Sequence, residues 1–253
     1  MDNLYEQITA CCKELRLSKN LAAQSMVVEG STNQEYFLNL LQKELEWRKS
    51  SGIDKRIRAA GFPVKYVPSQ YKTDEINFPE GVSFESILNL DFYNAGENLI
   101  MYGGTGTGKT MLSILVGIEA CKKGIPVSFF RTASLINKFT ESHANGNISK
   151  LKKKLDKNRI IILDEFGYVP YDRTGSQLLF DYLSEIEGQK VVILNTNLEF
   201  AQWGNVLYDQ RMTTALIGRL THHVQLILFP GSNNRLKESS INNMIARMNS
   251  KED

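Results

Sequence analysis

Nine consecutive residues near the middle of the chain, Tyr102 to Thr110, have the types and spacing of a phosphate-binding loop. They contain the pattern G-x-x-x-x-G-K-[ST], whose glycines permit a tight turn and whose lysine meets phosphate. The mostly apolar run 98–102 before the loop predicts a buried strand, and the mostly apolar run 111–116 after it predicts a buried helix. In that setting the loop amides and the helix N-terminus form a site for the phosphates of a nucleoside triphosphate.

The same motif predicts which side chains meet the ligand. Lys109 would reach the β- and γ-phosphates, and the Thr110 hydroxyl would bind Mg²⁺. The expected cofactors are therefore ATP and Mg²⁺. The predicted nucleotide-binding residues of this loop are Gly103, Gly104, Thr105, Gly106, Thr107, Gly108, Lys109, Thr110 and Met111.

Two adjacent carboxylates follow an aliphatic run further along the chain. Residues 160–163 are Ile, Ile, Ile and Leu, as expected for a strand in the middle of a parallel sheet. That strand delivers Asp164 and Glu165 at its carboxyl end, which is the second motif of a nucleotide site, Walker B. We expect Asp164 to hold the metal through its water shell and Glu165 to polarise the attacking water.

A polar segment and an arginine complete the candidate catalytic set. The strand predicted over residues 191–194 ends in Asn195, Thr196 and Asn197, where some ATPases have an amide that senses the γ-phosphate. Arg219 ends the last predicted helix, which suits an arginine finger acting on a neighbouring subunit. The helix dipole also favours a cation at that position, so both interpretations of Arg219 stay open.

The alternation of predicted strands and helices indicates an α/β fold with a doubly wound, five-stranded parallel sheet. Ligands of such sheets bind at the carboxyl ends of the strands, where the loop, the carboxylates and the amides all fall. Residues 1–62 contain no proline and predict a small N-terminal helical domain. We expect a linker over 63–97, the nucleotide-binding core over 98–238 and a tail over 239–253.

Composition limits the remaining possibilities. The chain has 253 residues, of which 42% are apolar, so a sizeable core is possible. Its three cysteines have neither disulfide-framework nor zinc-like spacing. The N-terminus lacks an export signal, and no stretch approaches the roughly 18 apolar residues of a membrane span. We therefore expect a cytoplasmic protein with no membrane partner.

Two segments are strongly basic, although the whole chain has a net charge of only +2. Residues 43–72 hold eight basic and three acidic side chains, and residues 150–159 hold six and one, so each segment carries +5. Such clusters are either solvated faces or contacts to DNA phosphates, and the sequence favours neither. The candidate DNA-contacting residues are Arg48, Lys55, Arg56, Arg58, Lys152, Lys153 and Lys154.

Together these motifs resemble those of the AAA+ ATPases, and within them the IstB-type helper proteins of bacterial insertion-sequence transposition, in the DnaC/IstB clade. The likeness covers nearly the whole chain. Leu-Asp-Glu-Phe-Gly-Tyr-Val-Pro at 163–170 is close to the family's Walker B signature. The resemblance implies that Asn197 is the sensor and Arg219 the finger arginine. The other segments that carry it are 12–17, 36–41, 44–48, 58–63, 195–204 and 219–223.

The chain departs from the family pattern in two places. The family usually ends its core with Gly-x-Ser-Tyr-Arg, whereas residues 231–235 are Gly-Ser-Asn-Asn-Arg. The resemblance therefore implies a nucleotide contact for Arg235, but without the usual aromatic neighbour. Gly104 and Thr105 stand where relatives commonly hold a proline, which leaves the phosphate-contacting positions unchanged. The resemblance also implies that no helical lid domain follows the core.

The resemblance implies a function as well. It describes an ATPase that binds double-stranded DNA, assembles into homo-oligomers on it and helps a partner transposase capture its target. A DnaC-like replicative helicase loader shares the same core and is the alternative. A small-molecule P-loop kinase is disfavoured by Asn197 and Arg219. A DNA-binding scaffold that binds ATP without turnover is disfavoured by Glu165.

Overall fold

The computed structural model describes residues 2–64, 71 and 73–231, and its contacts divide the chain into two compact units, Met1–Arg56 and Ile57–Asp253. The boundary between these units falls inside a long helix. The predicted division at 62, 97 and 238 stays a prediction. Arg235 and the predicted tail lie outside the described residues. In those described ranges, no helix is both long and apolar enough to cross a membrane.

The first unit is helical. It contains α1 (Asp2–Glu14), α2 (Lys19–Gln24) and most of α3 (Asn33–Ala60). Thr32 caps α3 by accepting the Glu35 amide at 3.1 Å, and the Glu35 carboxylate accepts the Ser31 amide at 2.8 Å. The apolar core of this unit is small, and large side chains on α3 such as Phe37 and Leu45 remain exposed.

The second unit is built around a five-stranded parallel sheet with strand order β2-β3-β4-β1-β5. The predicted doubly wound, five-stranded parallel sheet is thereby confirmed. The strands are β1 (Asn98–Gly103), β2 (Val127–Arg131), β3 (Ile160–Phe166), β4 (Val191–Thr196) and β5 (Val224–Phe229). The helices are α4 (Phe84–Asn89), α5 (Asp91–Asn94), α6 (Lys109–Lys122), α7 (Thr132–Ala144), α8 (Ile148–Leu155), α9 (Arg173–Glu185), α10 (Gly204–Leu207) and α11 (Gln210–Thr221).

Successive strand residues enter two different cores, because side chains alternate across a sheet. Leu99 and Met101 face a core that includes α4, α5 and α6, whereas Ile100 faces a core formed with α7, α9 and α11. Helices thus cover both faces of the sheet, and its strands are mostly apolar. Since all five strands are parallel, their carboxyl ends meet at one edge, which we call the carboxyl edge.

Candidate nucleotide site

The phosphate-binding loop joins β1 to α6 at the carboxyl edge, as predicted. Gly103 passes so close to β5 that a Cβ atom there would collide with the Phe229 carbonyl oxygen. Gly108 precedes α6 with a φ of 104°, in the left-handed region that glycine tolerates best. Within the loop, Gly104 and Thr105 are exposed, whereas Thr107 is buried. The conformation is therefore held by glycines at the two ends of the loop.

Lys109 lies across its own loop. Its ammonium donates to the carbonyl oxygens of Gly103 at 2.7 Å and Gly104 at 2.5 Å. The Thr107 hydroxyl donates to the Gly104 carbonyl at 2.9 Å and closes the turn. These contacts keep the positive charge of Lys109 at the loop, where the motif predicts that it meets phosphate.

Tyr71 supports the loop from outside, and no motif marked it. Its hydroxyl donates to the Gly108 carbonyl at 3.1 Å, and its ring stacks on Phe84 with the centroids 5.6 Å apart. Burial raises the pKa of Tyr71 well above its ordinary value, so the hydroxyl remains a donor at neutral pH. Sequence patterns could not reveal this role because the contact spans 37 positions.

Thr110 and Asp164 are hydrogen-bonded to each other. The Thr110 hydroxyl lies 2.9 Å from Oδ1 and 3.1 Å from Oδ2 of Asp164, whose side chain is buried. The two residues predicted to bind the metal are thus brought together from α6 and β3. Mg²⁺ prefers hard oxygen ligands and usually takes one or two carboxylates plus substrate phosphates. The hydroxyl and carboxylate oxygens of this pair fit that ion.

A β-bulge separates the two Walker B carboxylates. Leu163 pairs with Leu194 of β4 and Phe166 with Thr196, so β3 contains one extra residue at Asp164 and Glu165. Glu165 takes a φ of 55°, in the left-handed region. As a result Asp164 is buried, while Glu165 is exposed and its Oε2 lies 3.6 Å from Nε of Arg131. The bulge gives adjacent carboxylates opposite environments.

Aromatic side chains support the end of β3. Phe166 packs between Tyr171 and Trp203, with ring centroids 6.2 and 4.4 Å away. The Gly167 amide donates to the Tyr171 hydroxyl at 2.8 Å, and burial raises the pKa of Tyr171 to about 12. The Thr132 hydroxyl donates to the backbone carbonyl of Asp164 at 2.8 Å. The bulge is therefore fixed by packing and hydrogen bonds on both sides.

The two asparagines at the end of β4 differ in environment. Asn197, the predicted sensor, is exposed just beyond the strand. Asn195 is buried, and its Nδ2 donates to Asp164 Oδ1 at 2.8 Å and to Ser113 Oγ at 2.9 Å. It is thus Asn195 that the structure brings into contact with Asp164. The sequence pattern at the end of β4 does not indicate which of the two asparagines contacts Asp164.

Arg219 lies at the opposite, amino edge of the sheet. It lines a cleft of about 220 Å³ together with Asn98, the first residue of β1, and Lys190, which precedes β4. The Glu187 carboxylate lies 3.1 Å from its Nε, Ser184 Oγ accepts from its Nη1 at 2.9 Å, and its Cζ lies 5.0 Å from the centre of the Phe180 ring. The fold does not bring Arg219 to its own phosphate loop.

The basic clusters contain both paired and exposed side chains. Lys152 pairs with Glu185, whereas Lys153 and Lys154 of α8 are exposed. In the first unit, Arg48 lies 2.6 Å from the carboxylate of Glu44, which is buried. Lys55 and Arg58 are exposed, and Arg56 is partly buried. Contacts of these residues with DNA remain a prediction.

Comparison with known proteins identifies the family. Residues 10–242 match the family described as IstB-like ATP binding protein. A protein of Bacillus thuringiensis subsp. berliner, described as an ATP-binding protein of insertion sequence IS232, is 27% identical over 246 residues, spanning 94% of this chain and 97% of that protein. The corresponding IS21 protein of Pseudomonas aeruginosa is 30% identical over 207 residues, spanning 81% of this chain and 77% of that one.

Solved structures add the fold. The DnaC helicase loader aligns with a TM-score of 0.51 at 19% identity, covering 69% of this chain and 99% of that one. AMPPCP-bound DnaA from Aquifex aeolicus aligns with a TM-score of 0.50 at 19% identity, over 65% of this chain and 51% of that one. Because one family accounts for residues 10–242, a span that includes parts of both units, the chain belongs to the IstB-like ATP-binding proteins.

Proposed function

We propose that this protein is a Mg²⁺-dependent, DNA-stimulated ATPase that helps a transposase capture target DNA. The bulge in β3 carries the hydrolytic part of the proposal. It buries Asp164 against the Thr110 hydroxyl and leaves Glu165 exposed beside it. One carboxylate is thus held out of solvent for the metal, and its neighbour is open to water.

The loop would hold the triphosphate. Its backbone amides and the N-terminus of α6 favour anions, and Lys109 adds a full positive charge. Bound Mg²⁺ would neutralise charge on the β- and γ-phosphates. Thr110 donates its hydroxyl proton to Asp164, so a lone pair on its oxygen remains available to the ion. Asp164 would contribute its carboxylate directly or through a metal-bound water.

Glu165 would orient and deprotonate the attacking water. Its pairing with Arg131 is long and exposed, with 67% and 47% of the Arg131 and Glu165 side-chain surfaces accessible. Such a pair contributes little and is easily broken, so Glu165 can turn toward water. Asn197, exposed beyond β4, would contact the γ-phosphate or the same water.

Arg219 would act on the nucleotide of a neighbouring subunit in a homo-oligomer. It lies at the amino edge of the sheet, whereas its own phosphate loop lies at the carboxyl edge. Glu187, Ser184 and Phe180 hold the guanidinium in one orientation. An arginine that stabilises transition-state charge must be oriented in advance, and these contacts would do so.

The role in transposition is supported by the relatives, whose descriptions tie them to insertion sequences. Basic side chains exposed in each unit, Lys55 in the first and Arg58, Lys153 and Lys154 in the second, would contact DNA phosphates. Contacts from both units would allow the nucleotide state to influence the grip on DNA.

The ATPase proposal is tested by phosphate release from Mg·ATP with and without duplex DNA, in the absence of any small acceptor. We expect turnover that rises several-fold with DNA and is lost in Lys109→Ala. A parent protein that releases phosphate no faster than Lys109→Ala, even with DNA, would contradict the proposal. Phosphate transfer that needs a small acceptor would instead indicate a kinase.

The partner is tested by pull-down. The ATP-loaded protein is offered an insertion-sequence transposase of its host and, separately, the replicative helicase of the same host. We expect retention of the transposase, and less of it with Lys109→Ala. Retention of the helicase in place of the transposase would support the loader and overturn the transposition role.

A further inference from the structure

Asn195 is a polar residue in the interior of the sheet. It pairs in register with Met101 of β1, and only 1% of its surface is exposed. The two residues before it in β4, Ile193 and Leu194, are fully buried apolar residues. A buried amide in such a strand costs free energy unless its polar atoms are bonded, so its contacts need an explanation.

The donors and acceptors around Asn195 have one consistent assignment. The Ser113 hydroxyl donates to the Thr110 carbonyl at 2.9 Å, so Ser113 Oγ accepts from Asn195. Ionised Asp164 can only accept, so Nδ2 and not Oδ1 of Asn195 faces it. The two N–H bonds of Nδ2 are thus divided between Ser113 and Asp164.

These contacts close a ring. Thr110 donates to Asp164, Asn195 donates to Asp164 and Ser113, and Ser113 donates back to the Thr110 backbone. The ring joins the first turn of α6, which follows the phosphate loop, to the Walker B strand. The Asp164 carboxylate accepts two of these bonds, one from Thr110 and one from Asn195. Hydrogen bonds to a carboxylate are roughly twice as strong as those between neutral groups.

The other end of the amide is unsatisfied. Asn195 Oδ1 is buried and has no hydrogen-bond partner among the residues that the structure describes. An unpaired buried carbonyl costs about 1–3 kcal/mol. A purely structural asparagine would pair both ends, as Asn98 does by accepting the Val192 amide and donating to the Leu220 carbonyl. The unpaired Oδ1 of Asn195 therefore costs free energy of folding, while the Nδ2 of the same amide donates to the carboxylate proposed to bind the metal.

We propose that Asn195 is a positioning residue that sets the orientation of the Asp164 carboxylate for the Mg²⁺–nucleotide complex. This inference rests on the proposed role of Asp164 as the metal-binding residue. Groups that orient a metal ligand typically change metal affinity 10- to 100-fold when removed. Asn195 acts through Asp164 and touches neither nucleotide nor metal.

The test measures binding of a fluorescent ADP, first in EDTA and then over a Mg²⁺ titration. Asn195→Leu keeps the approximate size of the side chain and removes both donors. We expect unchanged binding in EDTA and an approximately tenfold higher Mg²⁺ concentration for half-saturation. An unchanged Mg²⁺ requirement, or equal weakening with and without Mg²⁺, would overturn the proposal.

Asn98→Leu is the matched control, because Asn98 also bridges elements of the same sheet but lies at the amino edge. We expect it to lower thermal stability without changing the Mg²⁺ requirement. If Asn195→Leu does not fold, Asn195→Ser is measured in the same way. Its shorter hydroxyl cannot serve Asp164 and Ser113 together, so the requirement should rise about threefold, and no rise overturns the proposal. A parent protein that fails to bind nucleotide at all would refute the proposed function instead.

Discussion

Each edge of the sheet holds a charged side chain in place with neighbouring polar groups, but the two charges differ in burial. At the carboxyl edge, Asp164 is buried and bonded to Thr110 and Asn195, which come from two different elements. At the amino edge, Arg219 is partly exposed, and its contacts with Phe180, Ser184 and Glu187 come from α9 and the turn after it. In the proposed function, the charge that would hold an ion is enclosed, whereas the charge that would serve another subunit is oriented yet accessible.

The largest expected effect comes from removing the positive charge at the carboxyl edge, which tests whether this edge binds nucleotide. We expect Lys109→Ala to abolish ATP binding, because no other side chain of the loop carries a full positive charge. Nucleotide binding by calorimetry is the measurement. Lys122→Ala, at the far end of the same helix, removes an exposed lysine paired with Glu119 and should bind normally. Normal binding by Lys109→Ala would refute the site.

The second change separates the adjacent carboxylates. Glu165→Gln should retain ATP binding and lose turnover by about 100-fold or more, the usual contribution of a general base. Steady-state phosphate release and ATP affinity are measured together. Glu141→Gln on α7, also exposed, serves as the control. A rate for Glu165→Gln within a few-fold of the parent would remove Glu165 from the mechanism.

The third change tests the amino edge. Arg219→Ala should lower turnover about tenfold or more while leaving ATP binding intact, because the arginine acts on transition-state charge. Mixed with Lys109→Ala protein, it should regain part of the activity, since some interfaces then combine an intact loop with an intact arginine. Arg173→Ala, an exposed arginine that begins α9, is the control. No recovery at any ratio, with mixed assembly confirmed, would favour the interpretation as a helix-terminal cation.

The smallest expected effect is on the salt dependence of DNA affinity. It compares basic side chains that are ion-paired with those that are exposed. The slope of log affinity against log salt should fall by about 1 for each phosphate-contacting residue removed. We therefore expect a reduced slope for Lys153→Ala/Lys154→Ala and an unchanged one for Lys152→Ala, whose ammonium is paired with Glu185. Equal slopes in all three proteins would make α8 a solvated face.

The same experiment applies to α3, which contains the last residues of the first unit and the first residues of the second. Lys55→Ala/Arg58→Ala should reduce the slope, because both side chains are exposed. Arg48 is a poor probe there. Its removal would leave the buried Glu44 carboxylate with the Ser18 hydroxyl as its only other partner among the described residues, so a loss of binding could reflect a loss of folding.

Local patterns predicted the phosphate loop, the Walker B pair and the sheet. Each depends on residues close in sequence, such as the glycines around Lys109 or the aliphatic run before Asp164. Residue positions suggested the roles of Asn197 and Arg219, the family resemblance favoured them, and both roles remain predictions. The position of Arg219 at the amino edge follows from its place just before the last strand.

What the sequence could not predict depends on tertiary contacts. No glycine occupies the bulge at Glu165, so the residue types there do not predict a left-handed backbone. Packing of Phe166 between Tyr171 and Trp203 stabilises this backbone conformation instead. Asn195 and Asn197 are the same residue type two positions apart. Only the register of β3 against β4 decides which of them meets Asp164.

The left-handed backbone of Glu165 has a consequence for how such proteins can be improved. At a φ of 55° a residue with a side chain costs on the order of 1 kcal/mol relative to glycine. Glu165→Gly should therefore raise the melting temperature in a thermal scan while eliminating turnover. A heat-resistance screen without an activity assay would enrich this inactive variant. Directed evolution of this protein must therefore select for stability and turnover together.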